Sequence, residues 1–478
     1  MQPPIEVFAD TPALAQGAAA GVAERAAQAV AGRGSFFVAI SGGPVLESVL
    51  AALAAPPWRD SVPWKNTRVF WCDERWAAHD PVGANLALAR RALLDHVPVP
   101  PDQLHPVPVG QTPAAAAAAY SRTLEHWLSD RAVDLVVLGM GSDGHTAGLH
   151  PGSDALYTER CGATACDVPR AGGWLITCTL AEINRARDAL LLVSGADAAT
   201  TLADVRTGHS HVPAARVRTR SGGPCWMTDH ATASAARAVA AAARPAAARR
   251  DDETARRSAG LAAAELVAPG MAIGLGTGST ASHFVKALGL RWREGELAGL
   301  VGVPTSEATR RLAALEGIPI ASIADRPTLD LTVDGADEIS PRLDLIKGLG
   351  GALVREKVVA RASERMVVIA DATKLSPGLG HLAPVPVAVV PFAWSANADA
   401  IRAMGAEPTL RRAEDGSPLV TDDGLFILDC RFAAGLDQPA ELECALEGLP
   451  GVAATGLFLD LADRALIGDM WGVWSYRR

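Results

Sequence analysis

Short runs of continuously apolar residues alternate with alanine-rich stretches along most of this chain. In the first half the runs are Phe36–Ile40, Arg68–Cys72, Asp134–Leu138, Trp174–Thr179, Ala189–Val193 and Cys225–Thr228. In the second they are Met271–Leu275, Leu300–Pro304, Leu329–Val333, Leu343–Ile346 and Met366–Ala370. A run without polar alternation suits a strand buried on both faces, as in a parallel sheet. Helical stretches between such strands imply a doubly wound, mostly parallel α/β architecture. In open sheets of this kind ligands sit beyond the carboxyl ends of the strands, so the residues after each run are the first to inspect.

At 478 residues the chain is too long for one core. The clearest break is 231–250, ATASAARAVAAAARPAAARR, which has almost no large apolar residue and carries Pro245. It is expected to be a semi-rigid or partly helical linker between domains 1–230 and 251–478. From Pro384 to Gly451 the pattern changes to strands mixed with helices, which predicts a small α+β subdomain over 384–451. Hydrophobic residues at 49% against 20% charged describe a globular protein. A net charge of −9 disfavours a general nucleic-acid grip and leaves anionic small molecules open, since a pocket needs only local cations. Seven scattered cysteines without a Cys-x-x-Cys pair read as reduced thiols. The N-terminus lacks the pattern of a signal peptide and the apolar runs are too short to span a bilayer, so a cytoplasmic protein with no membrane partner is expected.

In the second half, Gly274-Leu275-Gly276-Thr277-Gly278-Ser279-Thr280 follows a strand and opens a helical stretch. Glycines at such a turn let backbone N–H groups approach an anion, the helix dipole favours it, and Ser279 and Thr280 add hydroxyls. It is neither a Walker A loop nor a G-x-G-x-x-G turn. Asp334-Gly335-Ala336-Asp337-Glu338 reads either as a solvated acidic loop or as a site of hard oxygen ligands. Lys347 and Glu356 then flank a further glycine turn. A carboxylate beside a lysine and a bound phosphate suits proton removal next to a carbonyl, the lysine holding the developing enediolate.

In order and spacing these segments resemble type A ribose-5-phosphate isomerase over nearly all of 251–478. Further matching segments are Thr305–Thr309, Ile369–Lys374, Val420–Gly424 and Gly456–Phe458 through Ala465–Gly468. The resemblance implies that Glu356 is the general base, that Lys347 and Asp337 serve the enediolate oxygens, and that Asp334 assists ring opening. It places the substrate phosphate on Gly276, Thr277, Gly278, Ser279, Thr280 and Lys374, with Arg256 where many relatives carry lysine. It implies no metal and no cofactor, and a homo-oligomer, dimeric or higher, formed through this half. Leu349 departs from a run usually made of small residues.

In the first half, the strand Asp134–Leu138 runs into Gly139-Met140-Gly141-Ser142-Asp143-Gly144-His145. A histidine beside an acid after a sheet strand suits activation of water. His145 and His150 have no third ligand in sight, which argues against zinc. Arg75, in Asp73-Glu74-Arg75, suits either an anion clamp or an ion pair with Asp73 or Glu74. Ser41-Gly42-Gly43 follows another strand. Together these resemble 6-phosphogluconolactonase over roughly residues 5–230. The resemblance implies His145 as base for water, with Arg75, Ser41, Gly42, Gly43 and Arg187 around the substrate. Pro44, Val45 and Leu46 replace a usual hydroxyl pair and proline, and Ala198 replaces a usual lysine.

The two resemblances belong to one route, the pentose phosphate pathway, but not to consecutive steps, so direct channelling is not expected. They make sugar phosphates the expected partners. Two other readings stand beside a bifunctional enzyme: an isomerase with an inert first half, and a sugar-phosphate sensor. A sensor should carry a basic helix-turn-helix segment, and the one arginine-rich stretch, Arg244–Arg257, is the linker and the start of the second half.

Overall fold

A computed structural model describes residues 5–76, 84–108, 112–169, 173–208, 210, 212–242, 252–469 and 472–478. The chain divides into two compact units, 2–249 and 250–478.

The first unit is built on a parallel sheet. Its strands lie in the order Ile5–Phe8, Cys225–Asp229, Asp188–Val193, Leu135–Gly139, Phe36–Ile40, Thr67–Trp71 and Leu104–His105. The central runs are wholly buried, which explains their lack of alternation. The helix Thr11–Arg33 is capped by Asp10, whose carboxylate accepts from the Ala13 N–H, and ends on Gly34 in the left-handed region. It packs through small side chains, Ala15, Ala18, Ala19, Ala26 and Ala29 being buried. After Phe36–Ile40 the chain builds outward on one side to Leu104–His105, then crosses back to place Leu135–Gly139 on the other. That reversal opens a crevice at the carboxyl ends of these two strands, and Ser41–Gly43 and the loop to His145 follow them.

The second unit repeats the plan. Its parallel strands run in the order Val301–Pro304, Ala272–Leu275, Leu331–Asp334, Met366–Asp371 and Arg464–Asp469, with Gly472–Arg477 antiparallel at the end. The reversal here lies between Ala272–Leu275 and Leu331–Asp334. One core cluster, which includes Ile273, Phe284, Leu331 and Ile369, joins sheet and helices. A four-stranded antiparallel sheet, Glu407–Leu410, Phe426–Arg431, Val385–Val389 and Val452–Thr455, carries the helices Trp394–Ala403 and Pro439–Glu447. This α+β unit reaches Thr455, since its closing strand lies beyond Gly451.

Three expectations need correction. Trp174–Thr179 does not join the parallel sheet: Gly173–Cys178 pairs antiparallel with Asp73–Arg75 and Ala163–Val168. Leu345–Ile346 likewise pairs antiparallel with Glu338–Ile339 and Leu457–Phe458. An apolar run reports burial on both faces, which a small covered sheet supplies as well as a parallel one. The supposed linker begins as a packed helix, His230–Ala242, burying Thr232, Ala233, Ala236 and Ala240 against the first unit. Alanines are enough where a helix approaches closely. Residues 243–251, with Pro245, lie outside the described residues. Among the described residues no helix is long and apolar enough to cross a membrane.

Candidate active sites

In the second unit the strand Ala272–Leu275 ends in Gly276, which abuts Asp334. A Cβ on Gly276 would lie 2.2 Å from Asp334 Oδ1 and 2.5 Å from its Cα, so only glycine fits. The Thr277 N–H donates to Asp334 Oδ1 at 2.9 Å. Thr277 Oγ1 bonds the hydroxyls of Thr305 and Ser306 at 2.7 and 2.9 Å, which fixes the turn. Gly278, with φ +110°, then starts the helix Ser279–Arg293. Among the described residues no side chain caps that helix, so its first N–H groups remain to serve an anion.

A cavity of about 140 Å³ lies over this turn. Thr277, Gly278, Ser279 and Thr280 line it together with Asp337, Lys347, Glu356, Arg256 and Lys374. Lys347 is 2% exposed, and its Nζ lies 3.0 Å from Asp334 Oδ2, 3.5 Å from Glu356 Oε1 and 2.6 Å from the Gly335 carbonyl that accepts from it. Burial works against the lysine's charge, but Asp334 and Glu356 more than offset it and raise its pKa. Burial pushes Glu356 up to about 8: Lys347 pulls it down, while Asp334 and Asp337 add to the rise. Glu356 Oε2 has no hydrogen-bond partner among the described residues. A carboxyl group tuned near neutrality, with one oxygen unused and an ammonium beside it, is equipped to take and return a proton.

In the first unit Asp143 stands between two histidines. His145 Nδ1 lies 2.6 Å from Asp143 Oδ1, and His150 Nδ1 lies 3.5 Å from Oδ2. The two rings stack with centroids 4.2 Å apart. Burial raises the Asp143 pKa, but hydrogen bonds from His145 outweigh it and leave the carboxyl below its ordinary value. A carboxylate on Nδ1 holds the tautomer in which a neutral imidazole presents Nε2 as a base. Nearby, the Ser41 hydroxyl donates to Asp73, and Asn85 Nδ2 donates to the carbonyl and Oδ2 of Asp73, each at 2.9 Å. Burial raises the Asp73 pKa against the pull of Ser41, Asn85, His145 and Arg75. A Cβ on Gly42 would collide with Asn85, so the turn needs glycine for close approach. Buried Glu74 accepts from the N–H groups of Asn85 and Leu86 at 2.7 and 2.9 Å, which holds the start of the helix Asn85–Ala92.

Residues 301–472 match the family of ribose 5-phosphate isomerase A (phosphoriboisomerase A). Residues 9–226 match the family of glucosamine-6-phosphate isomerases and 6-phosphogluconolactonase. Ribose-5-phosphate isomerase A of Gloeobacter violaceus is 50% identical over 219 residues, 46% of this chain and 94% of that protein. The chain belongs to the ribose-5-phosphate isomerase A family. The Roseiflexus castenholzii enzyme of the same name is 49% identical over 218 residues, 46% of this chain and 93% of its own. A solved structure of 6-phosphogluconolactonase from Trypanosoma cruzi is 23% identical, covering 48% of this chain and 96% of its own, with a TM-score of 0.44.

In the ribose-5-phosphate isomerase A half, most of the expected residues meet at one cavity. Arg256 is aimed by Asp371, whose Oδ2 accepts from Nε at 3.1 Å, and Lys374 ends the short helix that follows Asp371. Two residues differ from expectation. Gly276 does not line the cavity; it makes room for Asp334. Asp334 is wholly buried and does not line the cavity either; its Oδ2 lies 3.0 Å from Lys347 Nζ and its Oδ1 accepts from the turn. Leu349, which departs from the usual small residues, is 42% exposed.

In the other half, Ser41–Gly43 and His145 follow neighbouring strands. Arg75 lies on the short strand Asp73–Arg75 beside the Ser41–Asn85 network. Arg187 is misplaced: it precedes the strand Asp188–Val193, and its guanidinium lies 3.4 Å from Asp134, at the opposite end of the sheet from His145. Ala198 is buried, at 1% exposure, and brings no charge. Pro44 opens the helix Pro44–Leu53, where its fixed φ is favourable, and Leu46 joins the core. A third donor beside the two histidines does exist: Asp143, His145 and His150 each bring one donor atom, all within 4.8 Å of one another. The sequence reading passed over Asp73 as an ion-pair partner of Arg75 and gave Asn85 no role. Their position just after a buried strand was the available signal.

Proposed function

We propose that the protein is a bifunctional enzyme of the pentose phosphate pathway. Its second half interconverts D-ribose 5-phosphate and D-ribulose 5-phosphate. Its first half hydrolyses 6-phospho-D-glucono-1,5-lactone to 6-phosphogluconate. The observation that carries the isomerase reading is Glu356, a buried carboxyl with a pKa near 8 and a free oxygen, facing Lys347 across a cavity floored by an anion cradle.

The phosphate sits on Thr277–Thr280, with Arg256 and Lys374 at the mouth. On the open-chain aldose Glu356 takes the proton from carbon 2. The electron pair moves toward the carbonyl oxygen at carbon 1, which Lys347 holds as the enediolate forms. Asp337 moves the proton between the two oxygens, and Glu356 returns its proton to carbon 1. Asp334 keeps Lys347 charged. The test is isomerisation of D-ribose 5-phosphate by the purified chain; no turnover above background would overturn the reading.

For the lactone, His145 Nε2 draws a proton from water as it adds to carbon 1, Asp143 steadies the imidazolium, and the ring oxygen leaves with the proton. Arg75 and the Ser41–Gly43 turn face the substrate. The Asp143–His145 pair is what favours activity over an inert scaffold. His145→Ala should lower lactone hydrolysis by about 10²–10⁴-fold while isomerisation is unchanged. Spontaneous opening must be subtracted, and a wild-type rate equal to that background would leave the first half a scaffold. A homo-oligomer formed through the second half and a cytoplasmic setting complete the proposal.

A further inference from the structure

Arg411 joins the small α+β unit to the turn that carries Lys347, and we infer that it is a positioning residue for the isomerase reaction. The inference rests on the isomerase reading of Lys347 and Asp337. Arg411 follows the strand Glu407–Leu410, and its guanidinium grips two partners at once. Nε and Nη2 hold Asp429 on the adjacent strand, with Nε to Oδ2 at 2.9 Å. Nη1 donates to the carbonyls of Gly348 and Leu349 at 2.8 and 3.0 Å. The arginine side chain is 13% exposed.

In a trans peptide the C=O and the following N–H point in opposite directions. With the Gly348 carbonyl turned to Arg411, the Leu349 N–H faces the other way, and there it donates to Asp337 Oδ2 at 2.9 Å. Guanidinium and carboxylate therefore hold opposite edges of one peptide unit. The same turn starts at Lys347, whose N–H is anchored on the Gly456 carbonyl at 2.9 Å. Gly348 has φ +109°, one of many conformations open to glycine, so the path of the turn depends on what holds its peptide units. Arg411 supplies that constraint, and through it sets the aim of Asp337 and the seat of Lys347. Leu349 is tolerated because its backbone makes these links while its side chain points largely outward. Lysine cannot replace the arginine, because one ammonium cannot serve Asp429 and both carbonyls in a planar fork.

The test is steady-state isomerisation of D-ribose 5-phosphate by the full chain and three variants. Arg411→Ala should lose about 10–100-fold in kcat with KM within about threefold, since the phosphate cradle is untouched while the reacting groups are misaimed. Added guanidinium ion should restore part of that loss. Arg411→Lys keeps a cation beside Asp429, which guards the fold, and should show a smaller loss of the same kind. Arg412→Ala, which removes a bond to the Gly416 carbonyl, should behave as wild type. Unaltered kcat in folded Arg411→Lys and Arg411→Ala, or a loss that guanidinium leaves untouched, would overturn the inference alone. An inactive wild type would overturn the isomerase reading and the inference with it.

Discussion

Glu356→Gln should abolish isomerisation, by about 10²–10⁴-fold in kcat/KM, with lactone hydrolysis unchanged. Glutamine keeps the size of the side chain and cannot accept a proton from carbon. The pH profile of the wild type sharpens the prediction. With Glu356 pushed up to about 8, the base is mostly protonated at neutral pH, so kcat/KM should climb with pH and level off above about 8. Stability should run the other way. The folded state holds a proton on Glu356 that the unfolded chain, with a pKa near the ordinary 4.5, has released. The stabilising contribution is thus complete below the unfolded pKa and is lost as pH rises through about 8. Glutamine has no such proton, so the variant should gain stability over wild type as pH rises across that window. Denaturant midpoints at several pH values measure the gap; a gap that narrows with rising pH, or a flat activity profile, contradicts the assignment of the base.

Much of this was legible in the chain, because buried strands and glycine turns leave local marks. The run Met271–Leu275 and the glycines after it mark both the strand and the tight turn, since only glycine fits where Gly276 meets Asp334. Lys347 and Glu356 were found by type and spacing around a turn. What failed was what sequence distance does not encode. Trp174–Thr179 marks burial for Leu175 to Thr179, though Trp174 itself is exposed, and does not say which sheet covers it. Arg187 was placed at the site by resemblance, though it precedes its strand, and residues before a parallel strand lie at the end remote from the crevice. That Asp334, the last residue of a fully buried strand, contacts Lys347 directly is likewise a matter of the fold and not of spacing. Arg411 carries no local signal at all. Its partners, Asp429, Gly348 and Leu349, are 18, 63 and 62 residues away, and only the folded subdomain brings them to it.

Lys347→Met should be the most damaging single change in the second half, for catalysis and stability together. Methionine fills a similar volume and removes a cation that faces Asp334 at 3.0 Å and Glu356 at 3.5 Å. Taking away an enediolate donor costs about 10²–10³-fold in kcat. A second loss adds to it: without the ammonium, the Glu356 pKa rises further, and less of the base is ionised at any working pH. KM should change little, because the phosphate stays on Thr277–Thr280 and Lys374. Stripping the partner from buried carboxylates also destabilises the fold, by about 3–5 kcal/mol where the charges persist. Protonation relieves that cost, so the deficit should be smallest in acid and grow as pH rises, and the variant should be purified and assayed below neutrality. Unfolding midpoints at pH 5 and pH 8.5 separate the two effects. A deficit equal at both, with kcat within tenfold of wild type, would mean that Lys347 only fills space; a deficit that opens with pH alongside a collapsed kcat ties the buried charge cluster directly to the chemistry.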